Sequence, residues 1–156
     1  MRLLFRGIAA GIVGTAAMTA VQLSAARLRG QPLQTPVPKR WADAPAPAQV
    51  VKKAASAIGE PRLVTREDAP RVTNVVHWGY GTLLGVLYAL AARALRPGAF
   101  SGGVGFGAGV WSASYAELVP LGIYKPPWRY PAPELALDLG YHLVYGLAVA
   151  EAYERL

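Results

Sequence analysis

The chain has 156 residues, 53% of them hydrophobic and 16% charged, with 17 glycines, 13 prolines, no cysteine and a formal charge of +7. That length fits one domain, the low charge content excludes a disordered chain, and the missing cysteines exclude disulfides, thiolate metal sites and cysteine catalysis. A basic soluble domain would point toward nucleic acid, but here the charge lies between long uncharged stretches, the pattern of a membrane protein with no nucleic-acid partner.

Four apolar segments follow one another. The first, Gly7 to Ala26, carries no charge, and twenty helical residues rise about 30 Å, the thickness of a bilayer core. Met1-Arg-Leu-Leu-Phe-Arg6 before it and Ser24-Ala25-Ala26 at its end also match a signal peptide. Repetition of this helix later in the chain argues for a resident helix instead. The next stretch is rich in proline and lysine. Within it, residues 47–58 set Val50, Val51, Ala54, Ala55 and Ile58 against Lys52 and Lys53, a short amphipathic helix suited to lipid headgroups or to solvent.

The second apolar segment, Thr73 to Ala92, opens behind Thr65-Arg-Glu-Asp68 and Pro70, a cap with an acidic first turn. It closes at Arg93, Arg96, Pro97 and Gly98. The third runs from Phe100 to Val119 with Glu117 near its end. The fourth runs from Leu135 to Ala150, started by Pro133-Glu134 and containing Asp138 and His142. Alternation is absent, which excludes strands.

The order of these parts repeats. Gly7-Ile-Ala-Ala-Gly11 matches Gly103-Val-Gly-Phe-Gly107. Pro32-Leu33 leading to Trp41 matches Pro120-Leu121 leading to Trp128. His77-Trp-Gly-Tyr80-Gly81 matches His142-Leu-Val-Tyr145-Gly146. The sequence therefore predicts an all-α fold: a four-helix transmembrane bundle in one domain, made of two tandem parallel repeats, residues 1–98 and 99–156. Four crossings put eleven of the sixteen cations on the side of the long loop, which positive-inside counting assigns to the cytoplasm.

Thr19, Gln22, Asn74, Tyr115 and Tyr141 fall in the loop-side half together with the candidate site: His77, Tyr80, Glu117, Asp138, His142 and Tyr145. Ionisable groups inside a membrane face the bundle interior or a wet cavity, and His and Tyr three residues apart share a helix face. Three chemistries fit: interhelical hydrogen bonding with Glu117 or Asp138 as partner; a pocket that binds a small ligand or exchanges protons; and haem ligated by both histidines. A zinc site of His77, His142 and Glu117 lacks ligand spacing. Glycines four apart (Gly7 and Gly11, Gly81 and Gly85, Gly103 and Gly107, Gly105 and Gly109), with Gly146, mark close helix packing, within the chain or across a homodimer.

Trp41, Trp111 and Trp128, with Tyr124 and Tyr130, read as interfacial anchors. Lys125 to Pro131 is a stiff link that caps the polar half or joins helices. The Gly102–Gly109 run lacks the Lys-Ser/Thr of a phosphate loop, and no hydrolase or metalloprotease motif is present.

Glu117-Leu-Val-Pro-Leu-Gly-Ile-Tyr-Lys-Pro-Pro-Trp128, then Glu134, then Leu139-Gly-Tyr-His-Leu-Val-Tyr145 up to Glu151 resembles the YagU-like bacterial inner-membrane proteins. In the first half the likeness extends only to the small-residue helix, the Pro-Leu turn and a helix with an early histidine. The resemblance implies a multipass inner-membrane location and no catalytic residues. The Tyr-Gly pairs, the basic loop and the lack of cysteine depart from that family.

Overall fold

The computed structural model describes all 156 residues, and the chain is all-helical. The helices are α1 (Arg2–Leu28), α2 (Ala46–Ala57), α3 (Ala69–Leu95), α4 (Ala99–Leu118) and α5 (Ala132–Arg155). Short 3-10 turns sit at Trp41–Asp43, Pro61–Leu63 and Pro127–Arg129. The four expected long helices and the loop helix are all present. Three of the long ones extend beyond their apolar stretch at both ends, because flanking arginines and tyrosines continue the backbone ladder after the hydrophobic run has stopped.

The helix ends follow local chemistry. Gly30, at φ +64, reverses the chain after α1, and Gln31 N–H donates to Ala26 O at 2.9 Å. Gly122, at φ +65, does the same after α4, with Ile123 N–H donating to Leu118 O at 3.0 Å. This is the left-handed closing turn that glycine adopts without steric cost. Before α3, Asp68 is the N-cap residue, yet its carboxylate turns backward. Its Oδ2 accepts from Thr65 N–H at 3.0 Å and from the Thr65 hydroxyl at 2.7 Å. The expected Thr65 cap is thus a closed turn ahead of the helix.

α1 lies antiparallel to both α3 and α5, and α4 lies antiparallel to α5. α3 and α4 meet mainly through long side chains, Tyr88 against Phe106 at 5.0 Å between ring centres. The central core is Ala10, Met18, Tyr88, Tyr145, Val149 and Ala150. α2 folds back onto the start of α3 through Ala44, Ala48 and Ala69, with Trp41 and Val72 at the edge.

Glycine sets how closely each pair packs. A Cβ on Gly7 would lie 2.8 Å from Val86 Cα and 3.1 Å from Gly85 O and Ala89 Cβ. A Cβ on Gly103 would lie 2.8 Å from Leu147 Cα, 3.0 Å from Gly146 O and 3.2 Å from Ala150 Cβ. One turn on, Gly11 faces Gly81 O and Thr82 Cα, and Gly107 faces His142 O and Leu143 Cα. Such contacts leave no room for any side chain. Gly105 and Gly109 face open space instead.

The exterior is apolar along α1 and α3. Leu4, Phe5, Ile8 and Ile12 of α1, and Leu83, Leu87 and Leu90 of α3, are exposed. These two helices are long and apolar enough to cross a membrane, and only 28% and 22% of their apolar stretches are buried. α4 owes its lower hydropathy to its glycines and serines, and α5 to Glu134, Asp138 and His142.

Candidate functional site

Five of the six residues expected to form one pocket separate into three groups, and the sixth, Tyr145, stands apart. In the first, His77 Nε2 lies 3.1 Å from Thr19 Oγ1, joining α3 to α1. In the second, Tyr80 donates to Glu117 Oε2 at 3.4 Å, an exposed pair between α3 and α4. The third centres on Asp138. Its Oδ2 accepts from Trp111 Nε1 at 3.0 Å and from the Tyr115 hydroxyl at 3.1 Å, both on α4. Its Oδ1 stands 3.7 Å from His142 Nδ1, which also lies 2.8 Å from Asp138 O.

Tyr145 belongs to none of these groups. It is buried, and its hydroxyl donates to Gly81 O at 2.6 Å. That bond ties α5 to α3 at the glycine that seats α1. The shared helix face of His and Tyr is real, but α3 and α5 each touch more than one neighbour, so residues a turn apart reach different partners. Glu117 therefore pairs with Tyr80 and not with a histidine, and no group of three or more acidic or histidine side chains is arranged to hold a metal ion.

Trp111 corrects a second expectation. It is partly buried and bonded to Asp138, so it serves as an internal donor and not as an interfacial anchor. Trp128 is 81% exposed. Tyr124 and Tyr130 of the link before α5 pack on Tyr115, with ring centres 5.3 Å and 6.0 Å away. The link therefore roofs the Asp138 group. Burial, and then the Asp138 charge, push the Tyr124 phenol up to about 12, so it stays protonated under the roof.

Asp138 keeps 32% of its side-chain surface exposed and His142 keeps 15%. The carboxylate thus has two donors on one oxygen, while His142 Nδ1, 3.7 Å from the other, is engaged with the Asp138 backbone carbonyl. Binding of haem iron through His77 Nε2 would break its bond to Thr19.

Two concavities lie elsewhere. One, of about 530 Å³, is lined by Ala99, Phe100, Val144, Leu147, Ala148 and Glu151 at the far end of α4 and α5. The other, of about 300 Å³, is lined by Trp41, Ala42, Gln49, Lys52, Lys53 and Gly122 on the loop side. Neither is lined by a histidine.

Sequence reasoning did not foresee the Arg6 group. The Arg6 guanidinium donates to Tyr153 O and lies 4.3 Å from the centre of the Tyr153 ring. Its signal was a lone cation at the end of an apolar helix opposite a late tyrosine, which has no local spacing to reveal it. No protein-family model matches the chain, and neither a curated protein nor a solved structure matches it.

Proposed function

We propose that the chain is a multipass integral membrane protein of the bacterial inner membrane, a four-helix bundle of two tandem repeats, in which Asp138 and His142 exchange protons with the loop-side water. The observation that carries the proton reading is the split of the Asp138 carboxylate: Oδ2 is held by Trp111 and Tyr115, while Oδ1 faces His142. Fixed donors hold the carboxylate in place, and the free oxygen does the exchanging. Supporting the membrane reading are the two apolar helices, exposed along most of their length, and the likeness of residues 117–151 to inner-membrane proteins. Supporting the repeat are the matching contacts of Gly7 and Gly11 on α3 and of Gly103 and Gly107 on α5.

A structural or accessory subunit is the second reading. The bonds Thr19–His77, Tyr145–Gly81 and Trp111–Asp138 favour it, since all three join different helices. One titration separates the two. The indole N–H resonance of Trp111 in detergent-solubilised protein reports the charge on the oxygen it donates to. Across roughly pH 4 to 9, the range of carboxyl and imidazole groups, it is expected to shift in the wild type and to stay still in Asp138→Asn. A resonance that does not move in the wild type would leave the structural reading. For topology, the absence of native cysteine allows Ser56→Cys and Gly98→Cys to be labelled singly. Labelling from opposite faces of a sealed vesicle is the expected result.

A further inference from the structure

The loop-side concavity carries a chemistry that the Asp138 group does not use. It lies where α2, the 3-10 turn at Trp41–Asp43 and the turn at Gly122 come together. Lys52 and Lys53 supply its charge, and none of its six lining residues is acidic. Asp43, beside it in the chain, is already bound by Arg40 through two hydrogen bonds of 3.0 and 2.9 Å.

Lys52 is held in place. Its ammonium donates to Pro61 O and to Val64 O at 3.4 Å, and stands 5.0 Å from the centre of the Trp41 ring. An ammonium has three donors, so one remains for a ligand. Lys53 is exposed, with no hydrogen bond or ion pair of its own. The lining therefore offers an anion a fixed cation, braced against the Trp41 ring, and a mobile cation.

Position decides which anion. Trp41 packs on Ala44, Ala48 and Ala69, and Ala69 is the first residue of α3. The concavity thus sits on top of a helix whose exterior is apolar. Ile58 and Leu63, on either side of the Gly59 turn that follows α2, are 71% and 65% exposed. A free anion has no use for exposed apolar side chains, whereas a headgroup with its acyl chains meets both kinds of surface. We propose that this concavity seats the phosphate of an anionic phospholipid headgroup, an inference that rests on the membrane reading above but not on proton exchange.

The test reconstitutes the full chain into nanodiscs holding equal amounts of phosphatidylglycerol and phosphatidylcholine, then releases it for native mass spectrometry. Insertion itself tests the membrane reading, since a protein that does not enter discs of phosphatidylcholine alone fails there first. For inserted protein, phosphatidylglycerol is expected to remain bound about fivefold more often than phosphatidylcholine, the scale of one surface cation. Lys53→Gln is expected to remove that preference while leaving helix content unchanged, because Lys53 makes no bond in the fold. Equal retention of the two lipids, or a preference that survives both Lys53→Gln and Lys53→Glu, overturns the proposal. So does inorganic phosphate that binds detergent-solubilised protein with the same Lys53 dependence, which would make the site one for a free anion.

Discussion

The two antiparallel helix pairs, α1 with α3 and α4 with α5, share a backbone geometry and differ in what they hang on it. In both, two glycines one turn apart admit a neighbouring backbone at contacts matching to about a tenth of an ångström where Gly7 and Gly103 sit. Two turns beyond the second glycine of α1, Thr19 meets His77; at the same level of α4, Tyr115 meets Asp138. A threonine–histidine pair thus stands in one half where an acidic group with two donors stands in the other. Close packing fixes the frame, and the polar chemistry at the loop-side end is free to diverge because Thr19, His77 and Asp138 are only half-buried and tolerate several donors and acceptors.

The same contacts correct the register suggested by the sequence. His77 and His142 head identical His-x-x-Tyr-Gly strings. In the glycine contacts, however, Gly85 stands to α1 as Gly146 stands to α4, so the partner of His77 by position is Asp138, one turn earlier than His142. The hooks are offset as well. Gly30 reverses the chain before Pro32-Leu33, whereas Gly122 reverses it after Pro120-Leu121.

The most severe way to break the comparison is to fill the frame. Gly107→Val puts a branched side chain against the backbone of His142 and Leu143, and is expected to cost about 3 kcal/mol, the upper part of the range for overpacking. Gly105→Ala, pointing into open space, is expected to be neutral or to gain up to about 1 kcal/mol from helix propensity. Thermal unfolding of detergent-solubilised variants reads both. A similar loss at the two positions would mean that the pair contacts are wrong.

The polar level sharpens the contrast. Asp138→Ala strands two donors, Trp111 Nε1 and the Tyr115 hydroxyl, and is expected to cost about 2 kcal/mol. Thr19→Val removes one bond to His77 and is expected to cost about 0.6 kcal/mol, the average for a bond between membrane helices. Chemical denaturation of the two variants should therefore rank them clearly, and equal losses would deny Asp138 its role as the hub.

The smallest effect lies at the helix entrances. Hydrogen bonds from the Thr65 backbone and hydroxyl hold the Asp68 carboxyl below its ordinary value. A depressed carboxyl stabilises the fold above its unfolded value near 4, and that stabilisation is lost as pH falls through the lower folded value. Asp68→Asn is expected to remove this acid-side component from the melting curve. An unchanged acid limb in Asp68→Asn would show that the turn before α3 does not titrate as described.

Much of the architecture was legible in the chain. Uncharged runs of helical length, proline and glycine at their ends, and the amphipathic spacing of Val50, Val51 and Ile58 against two lysines fixed five helices within a few residues, because these are local preferences of the backbone. The packing glycines Gly7, Gly11, Gly81, Gly85, Gly103, Gly107 and Gly146 were also readable from small-residue spacing, although Gly105 and Gly109 share that spacing and face open space. The partners were not. Whether His77 meets Thr19 or Glu117, whether Trp111 faces lipid or Asp138, and which turn of α5 matches His77 depend on rotation and axial slide of whole helices. Those quantities are set by the summed fit of many side chains across each interface, and no short stretch of sequence encodes them.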